Sequence, residues 1–323
     1  MTKYLVTGAN GFVGSRLCMT MAEKGLSVRA AVRKTDKIEC LSSVEVVEIR
    51  DCGPSTDWSY VLKGIDVIIH LAARAHVMHE TAADPLHEFR RVNAEGTRNL
   101  AMQASRAGIS RIVYLSTIKV NGELTHEEPF NEDSPLAPQD AYAMSKWEAE
   151  DALHAISASS GLEIVIIRTP LVYGPGVKGN MLKLMKQINH GIPLPLGMIT
   201  NRRSLISLEN LVDILILSAS RSECIGQTFA VSDGEDISTS DLVFLLSKAM
   251  GKKVRLIPFP SRLCSLFTRL APSLKPTVDR LAGSLIVDSS RFRERMKWSP
   301  PQTISTGIDS MVSDFLRLRN HVG

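Results

Sequence analysis

Tyr142 and Lys146 are the residues of this sequence best suited to moving a proton. They stand four positions apart in Tyr-Ala-Met-Ser-Lys, within the predicted helix Tyr142–Ser157, so their side chains share one helix face. A free phenol, with a pKa of about 10, is a poor proton donor at neutral pH, but a nearby ammonium stabilises the phenolate and lowers that pKa. The pair therefore predicts acid and base chemistry on a carbonyl or hydroxyl oxygen. An exposed helix face is the simpler alternative for the pair taken alone.

A glycine-rich turn at the start of the chain predicts a second kind of site. Gly8, Gly11 and Gly14 follow the apolar run Tyr4–Val6. Gly8 permits a sharp exit from a strand, Gly11 lets the backbone approach a ligand, and Gly14 lets a helix pack close to the sheet. The phosphates of a dinucleotide bind at the N-terminus of such a helix. The turn supplies the first predicted cofactor residues: Gly8, Asn10, Gly11, Phe12, Val13 and Gly14.

The end of the second predicted strand indicates which dinucleotide binds. NAD-specific sites usually carry an acidic residue there, about 20 residues after the glycines, which binds the adenosine ribose. This chain has Arg33 and Lys34 instead. Arg33 would pair with the additional phosphate of NADP through two hydrogen bonds, and Lys34 would add positive charge. We therefore expect NADP(H), with NAD(H) as the alternative and a solvent-facing arginine as the simpler explanation.

Alternating apolar runs and helical patterns must position these residues. The runs are rich in Val, Ile and Leu, as buried parallel strands are. They lie at Tyr4–Thr7, Ser27–Arg33, Val44–Ile49, Val67–Leu71, Ile112–Ser116 and Leu162–Arg168. Between them, helices are predicted at Ser15–Glu23, Ala94–Ala107 and Tyr142–Ser157. The order predicts an α/β fold, a Rossmann doubly wound parallel sheet, with ligands at the carboxyl ends of the strands.

The pattern loosens after Arg168, where two Pro- and Gly-rich loops are predicted. They are followed by further helices and one strand: loops at Pro170–Gly179 and Gly191–Gly197, helices at Leu208–Ser218, Asp241–Met250 and Ser305–Leu318, and a strand at Gln227–Val231. We expect residues 1–170, completed by roughly 204–235, to form the dinucleotide-binding domain. Residues 171–203 and 236–323 should form a smaller, interleaved substrate-binding lobe.

Composition narrows the classes of function. The chain has 323 residues, a net charge of +4 and scattered Lys and Arg, which argues against nucleic acid as a partner. Its five cysteines include no Cys-x-x-Cys, so we expect free thiols in a reducing compartment, no disulfide and no metal. The chain starts with a strand rather than a signal peptide, and it lacks an apolar run of about 18 residues. These features predict a cytoplasmic protein without a transmembrane segment.

The motifs together resemble those of the extended short-chain dehydrogenase/reductase superfamily, in particular its nucleotide-sugar epimerases, dehydratases and reductases. The resemblance spans essentially the whole chain. Besides the glycine turn, Tyr142 and Lys146, it rests on Asp51, His70–Ala73, Val92–Thr97, Ser116–Thr117 and Arg203–Leu211. It implies a small-molecule UDP-sugar as substrate, and a homodimer.

The resemblance also implies roles near the reacting group. Thr117 stands where the family has its catalytic Ser or Thr, whose hydroxyl bonds to the reacting oxygen, and Ser116 beside it is the second candidate. Lys146 would also bind the ribose hydroxyls of the cofactor. Asn93 matches a helix asparagine whose role is positional.

Contacts to both ligands are implied in the same way. Asp51 and Cys52 would border the adenine, while Ala72 and Ala73 would let the pyrophosphate and ribose lie close to the sheet. The further cofactor residues are therefore Asp51, Cys52, Leu71, Ala72, Ala73 and Asn93. For the diphosphate of the substrate, the matching residues are Asn180 and Arg203, with Arg280 as an additional candidate. An ordinary surface position is the simpler explanation for Arg203.

Two departures from the epimerase pattern bear on the reaction. Many epimerases have Ser-x-x-Val-Tyr-Gly where this chain has Thr117-Ile-Lys-Val-Asn-Gly122, and an asparagine usual after the Arg168 strand is replaced by Thr-Pro-Leu. The runs Ser116–Glu123 and His70–His76 resemble a subgroup from bacterial surface-polysaccharide (lipopolysaccharide O-antigen) pathways. That subgroup includes the 4-reductase that forms UDP-N-acetylquinovosamine.

We therefore expect NAD(P)H-dependent reduction of the 4-keto group of a UDP-4-keto-6-deoxy-N-acetylhexosamine. The alternative is a UDP-glucose or UDP-N-acetylglucosamine 4-epimerase with tightly bound NAD. A dehydratase would need an acidic pair where Ile118 and Lys119 stand. The amphipathic run Arg262–Leu270 predicts a lid or core helix, with a membrane-surface helix and a lipid-linked sugar as the alternative. A non-enzymatic NADP-binding module would leave Tyr142 and Lys146 without a role.

Overall fold

The computed structural model describes residues 1–33, 44–75, 84–197, 199–258 and 281–320. The chain forms two compact units. The first unit comprises Met1–Asn121, Pro135–Thr169 and Leu211–Ala230, and the second comprises Gly122–Ser134, Pro170–Asn210 and Val231–Gly323. Each unit is therefore assembled from three separate stretches of chain.

A seven-stranded parallel sheet forms the centre of the first unit. The strands of the described chain are β1 (Lys3–Thr7), β2 (Ser27–Val32), β3 (Glu45–Glu48), β4 (Val67–His70), β5 (Arg111–Thr117), β6 (Glu163–Thr169), β7 (Leu171–Tyr173), β8 (Leu194–Gly197), β9 (Arg203–Ser207), β10 (Thr228–Ala230), β11 (Asp236–Ile237) and β12 (Leu256–Pro258). The sheet order is β10-β6-β5-β4-β1-β2-β3. The reversal of direction after β1 confirms the predicted doubly wound sheet.

Helices follow the strands as the crossovers require. They are α1 (Phe12–Glu23), α2 (Ser59–Leu62), α3 (Pro85–Phe89), α4 (Gly96–Arg106), α5 (Ala141–Ser160), α6 (Gly179–Asn189), α7 (Leu208–Ser220), α8 (Thr239–Ala249), α9 (Ser290–Met296) and α10 (Ile304–Asn320). A π-helix at Arg90–Glu95 joins α3 to α4, and short 3-10 helices lie at Ile118–Val120 and Ser222–Cys224. The six helices predicted within the described residues are present with shifted ends, and the run Arg262–Leu270 lies outside the described residues.

Strand register explains why the core lies under α4 and α5. Leu5, Ile68, Ile112 and Ile164 are neighbours across β1, β4, β5 and β6, and each is at most 2% exposed. They pack in one cluster with Leu100 of α4 and Leu153 of α5. Branched side chains on both faces of a covered parallel sheet are the pattern from which these strands were predicted. The same register aligns the carboxyl ends of the strands at one edge.

The second unit contains two strands in segments predicted to be loops. β7 lies within Pro170–Gly179 and pairs with β9, while β8 lies within Gly191–Gly197 and pairs with β12. β9 also pairs with β11 in antiparallel orientation. Such short strands form because distant segments supply their partners, and their own sequences show no period that predicts them.

Residues 122–134 belong to the second unit, although they lie within the range expected for the dinucleotide-binding domain. The reason is a set of backbone hydrogen bonds to one distant segment. The Thr125 N–H donates to the Ser284 carbonyl at 2.8 Å, and the Phe130 N–H donates to the Ile286 carbonyl at 2.9 Å.

No helix among the described residues is both long and apolar enough to cross a membrane. They contain no group of three or more His, Cys, Asp or Glu that could hold a metal ion. Cys18, Cys52 and Cys224 are buried free thiols.

Candidate active site

The glycine turn lies between β1 and α1 and leaves no space for side chains. Gly8 has a φ of +66°, and a Cβ there would lie 2.9 Å from the backbone of Ala72. A Cβ on Gly14 would collide with the Gly8 carbonyl. Gly11 caps α1 without a side-chain hydrogen bond, so the N–H groups of the first turn face outward without a capping oxygen. These features fit the pyrophosphate of a dinucleotide.

A buried hydrogen-bond chain fixes the loop that packs on this turn. The Thr7 hydroxyl oxygen accepts the N–H groups of Leu71 and Ala72 at 3.2 and 3.1 Å. Its own hydrogen is therefore directed to Nδ1 of His70 at 2.6 Å, and Nε2 of His70 donates to the Thr97 hydroxyl at 2.9 Å. Burial, assisted by the Lys146 charge, lowers the pKa of His70 to about 3, so this tautomer is neutral. The chain holds Ala72 against Gly8.

The adenine end of the expected site contains more positive charge than the sequence motifs indicated. Arg33 is exposed at the end of β2, while Lys34 lies outside the described residues. Asp51 Oδ2 accepts a hydrogen bond from Arg91 Nη1 at 2.5 Å. Burial opposes ionisation of Asp51, but the Arg91 hydrogen bond, the Cys52 N–H and, to a smaller extent, the charges of Arg91 and Arg33 outweigh it and lower the pKa of that carboxyl. Burial raises the pKa of the adjacent Cys52 to about 12, so it is a neutral thiol.

Tyr142 lies in the first turn of α5, and Lys146 lies one turn further along. The ammonium of Lys146 donates to the Leu115 carbonyl of β5 at 2.6 Å and lies 4.0 Å from the centre of the Tyr114 ring. Burial lowers the pKa of Lys146 to about 7, although the Glu150 carboxylate acts in the opposite direction. The bond to Leu115 fastens α5 to the carboxyl end of the strand that carries Thr117.

The pKa of Tyr142 differs from the sequence expectation. Burial and the Asp140 carboxylate raise the pKa of this phenol to about 12, whereas the pairing with Lys146 was expected to lower it. The Lys146 ammonium does not offset these two effects; it donates to the Leu115 carbonyl, while Tyr142 packs edge-on against the Phe89 ring of α3 at 6.1 Å. Lowering the pKa of Tyr142 therefore requires positive charge beyond that of the protein's own groups, and an oxidised nicotinamide carries such a charge.

The structure separates the two hydroxyl candidates at the end of β5. Thr117 Oγ1 accepts the Lys119 N–H at 3.3 Å as the cap of the 3-10 helix, which leaves its hydrogen for another acceptor. The Ser116 hydroxyl instead donates to Glu150 Oε1. Because that hydrogen is engaged, Thr117 is the better donor to a reacting oxygen and Ser116 is part of the supporting network.

The supporting network is a buried ion pair that the sequence motifs did not include. Arg168 Nη2 donates to Glu150 Oε2 at 2.7 Å, and Arg168 Nη1 donates to Asn121 Oδ1 at 3.3 Å. The side chains of the pair are 6% and 3% exposed. Asn121 stands where epimerases have tyrosine, so this departure supplies an acceptor for Arg168. The spacing of Tyr142, Lys146 and Glu150, four residues each, could have indicated Glu150.

Asn93 connects the loop after β4 to helix α5. It lies in the π-helix at 1% exposure, where its Oδ1 accepts the Arg74 N–H at 2.7 Å and its Nδ2 donates to Ser145 Oγ at 2.9 Å. Ser145 in turn donates to the Tyr142 carbonyl at 2.8 Å. These bonds fit the positional role implied for Asn93, and they add Ser145, which the sequence analysis did not select.

The expected diphosphate residues lie in the second unit. Arg203, on β9, donates from Nη1 to the Gly283 carbonyl at 3.0 Å. Asn180 is exposed at the second position of α6. Arg280 and the run Arg262–Leu270 lie outside the described residues.

Known proteins similar to this chain were compared with it by sequence. The profile of the NAD dependent epimerase/dehydratase family matches residues 4–231. A UDP-glucose 4-epimerase of Vibrio cholerae is 42% identical over 323 residues, which cover 98% of this chain and 96% of the relative. An N-acetyl-alpha-D-glucosaminyl-diphospho-ditrans,octacis-undecaprenol 4-epimerase of Escherichia coli O157:H7 is 27% identical, over 79% of this chain and 75% of that protein.

Solved structures share the fold along almost the whole chain. The UDP-glucuronic acid 4-epimerase of Bacillus cereus, in complex with NAD, superposes with a TM-score of 0.81 at 23% identity and covers 98% of this chain and 99% of its own. The UDP-glucose 4-epimerase of Thermotoga maritima, with UDP-glucose, gives 0.79 at 19% identity, with 98% and 100% covered. At these identities the match establishes the architecture alone.

Proposed function

Because the chain belongs to the NAD-dependent epimerase/dehydratase family, we propose that it transfers a hydride between a nicotinamide dinucleotide and C4 of a UDP-linked sugar. The observation that carries this proposal is the attachment of α5 to β5. Through the bond from Lys146 to the Leu115 carbonyl, the helix that bears Tyr142 is fixed beside the strand end that bears Thr117. The Tyr142 phenol and the Thr117 hydroxyl would then both hydrogen-bond to one reacting oxygen.

The chain's own residues would handle the proton. The bound nicotinamide supplies hydride transfer, which no amino-acid side chain can perform. Thr117 donates a hydrogen bond to the sugar oxygen, and Tyr142 gives that oxygen a proton in the reductive direction and takes it back in the oxidative one. Lys146 holds the ribose hydroxyls and adds positive charge near the phenolate. The glycine turn binds the pyrophosphate, and Asn180 and Arg203 are assigned to the substrate diphosphate by the family resemblance.

For the specific reaction we propose reduction of the 4-keto group of a UDP-4-keto-6-deoxy-N-acetylhexosamine to UDP-N-acetylquinovosamine. Two features support it. Arg33 is exposed at the end of β2 and its charge contributes to lowering the pKa of Asp51, which supports a positive group at the ribose end, where NADP has its extra phosphate. The Thr117–Gly122 segment also departs from the epimerase pattern. Within it, Asn121 accepts a hydrogen bond from Arg168.

A second candidate is 4-epimerisation of UDP-glucose or UDP-N-acetylglucosamine with retained NAD. The 42% identity to the Vibrio cholerae UDP-glucose 4-epimerase favours it. In that case the hydride returns to the opposite face of the sugar and no cofactor is consumed. Dehydration has less support, because the position that needs an acid is Lys119.

One assay distinguishes the two candidates. Purified protein is incubated with the UDP-4-keto-6-deoxy sugar and NADPH or NADH, and separately with UDP-N-acetylglucosamine alone. The reductase proposal expects one NADPH oxidised per sugar reduced and UDP-N-acetylquinovosamine as the product by NMR. Appearance of the galacto epimer without added cofactor would replace it with the epimerase.

Tyr142→Phe is the matched control for either reaction, since it removes only the proton donor. Its turnover should fall by about 10²- to 10⁴-fold while dinucleotide binding persists. A variant that kept most of its activity would remove Tyr142 from the mechanism.

A further inference from the structure

An ion pair connects the two chain segments that carry Thr117 and Tyr142. Lys119 Nζ lies 2.6 Å from Asp140 Oδ2, and the two side chains are 31% and 35% exposed. Lys119 belongs to the 3-10 helix that follows β5, and Asp140 is the N-cap of α5. Each member of the pair therefore stands two residues from one of the proposed reacting side chains.

Both members have a second task that restricts their positions. Asp140 Oδ1 accepts the Ala143 N–H at 2.7 Å, which leaves Oδ2 for the lysine. The Lys119 N–H donates to Thr117 Oγ1 at 3.3 Å. A change in the ion pair would thus act on the first turn of α5 at one end and on the Thr117 hydroxyl at the other.

The pair also changes the charge near the Tyr142 phenol. Asp140 acts to raise the pKa of Tyr142. Groups on the neighbouring elements are Lys146 on α5, Arg74 stacked on the Phe89 ring at 5.4 Å, and the Tyr114 phenol on β5. The Lys119 ammonium is in direct contact with the Asp140 carboxylate, and a positive charge at that position opposes the effect of the carboxylate on the phenol.

We propose that Lys119 and Asp140 are positioning residues, a charge-balanced pair that holds the Thr117 turn against the start of α5 and sets the electrostatic environment of the Tyr142 phenol. The proposal rests on the assignment of Tyr142 as proton donor in the proposed function. It also explains why a lysine occupies the position at which a dehydratase needs an acid: in this chain the residue serves α5 rather than the substrate.

The test titrates the phenol directly. Difluorotyrosine is incorporated at position 142 of the full chain, because fluorine lowers the phenol pKa into a range where the protein stays folded, and its ionisation is followed by fluorine NMR with and without NAD⁺. Lys119→Met should raise the measured pKa by about half a unit or more, because the Asp140 carboxylate loses the ammonium that contacts it. Asp140→Asn, which keeps a capping oxygen, should lower it by a similar amount. The double variant should return close to the parent value.

Two controls separate this effect from general loosening of the fold. Glu148→Gln removes another ion pair of α5, the one with Arg90, and should leave the titration unchanged. Lys119→Arg should restore the parent value. Equal or same-signed shifts in Lys119→Met and Asp140→Asn would overturn the proposal. Because no substrate or turnover is involved, the outcome is independent of whether the reductase or epimerase assignment stands.

Discussion

Lys146 is the residue whose charge state should govern cofactor binding. Burial lowers its pKa to about 7, so near neutral pH a large fraction of the molecules have a neutral amine. A dinucleotide that gains from the ammonium binds the protonated form and takes up a proton at higher pH. Affinity should therefore fall as the pH rises above about 7, by at most tenfold per unit for one proton.

Calorimetric titration with NADP⁺ and NAD⁺ from about pH 6 to about pH 9 measures this dependence. Lys146→Met should bind more weakly, and its affinity should be nearly independent of pH because the titrating group is gone. If the wild type and Lys146→Met show the same slope, another group is responsible for the pH dependence.

Arg33 carries the second prediction at the residue scale, the choice between the two dinucleotides. Arg33→Asp replaces attraction to a 2′-phosphate with repulsion and should shift the preference from NADPH towards NADH by about tenfold or more. The measurement is the ratio of kcat/KM for the two cofactors. Arg33→Gln, which removes the charge without reversing it, should give an intermediate ratio. An unchanged ratio in both variants would show that Arg33 does not contact the cofactor phosphate.

Residue types and spacing select the glycine turn, Tyr142 and Lys146 as candidates, but they do not rank Ser116 and Thr117. The two hydroxyls are adjacent in sequence and have the same chemistry. They differ because Ser116 donates a hydrogen bond to Glu150, a residue thirty-four positions further along the chain. Similarly, no local pattern shows that the pKa of Tyr142 stays high, since Phe89, which packs against it, lies on another helix.

Helix α5 carries Tyr142 and Lys146 together with Glu150, whose ion pair with Arg168 fixes the helix to β6. Breaking a buried ion pair by removing one partner costs about 3–5 kcal/mol, because the other charge is left buried and unpaired. Glu150→Ala should therefore lower the free energy of unfolding by about that amount. Glu148 lies on the same helix and forms a partly exposed ion pair with Arg90 of the π-helix. Glu148→Gln should change the free energy of unfolding by less than about 1 kcal/mol.

Urea unfolding followed by circular dichroism gives both values. If the network acts only on stability, cofactor affinity measured below the transition should be unaffected in Glu150→Ala. We expect it to fall, because Glu150 is the carboxylate that favours the charged form of Lys146. Equal losses of stability in the two variants would contradict the structural role of the buried pair.

At the scale of elements, strong periodic patterns predicted the sheet and its crossovers, while several short strands and helices were not predicted. The six predicted strands before Arg168 are present because each is a run of branched residues long enough to identify. β7 and β8 were missed because they lie in Pro- and Gly-rich segments and depend on partners far along the chain. The π-helix at Arg90–Glu95 was also missed, although it carries Asn93.

At the scale of the whole molecule, the chain passes between the two units several times, so each unit needs a contact that gathers its separate segments. In the second unit, Asp233 has this role. Its carboxylate accepts the Tyr173 hydroxyl at 2.8 Å, the Asn210 amide at 2.7 Å and the Ser207 N–H at 2.9 Å. These partners come from β7, from the start of α7 and from β9, and Asp233 itself is 4% exposed. No sequence motif indicates this role, because the partners of Asp233 are brought together only by the completed fold.

Asp233→Asn tests this role with a change of almost no volume. The amide places two hydrogens where three donors point inward, so at least one buried donor loses its acceptor at a cost of about 1–3 kcal/mol.

Burial raises the pKa of Asp233 despite these bonds, so the native state holds this proton to a higher pH than the unfolded chain does. The contribution of Asp233 to stability is therefore fully present below its unfolded pKa of about 4, and it declines as the pH rises through the native pKa. Urea unfolding of both proteins between about pH 4 and about pH 8 should show a stability difference that shrinks with rising pH and then levels off. A difference that instead grew over this range would mean that the donors outweigh burial and that the pKa of Asp233 is depressed.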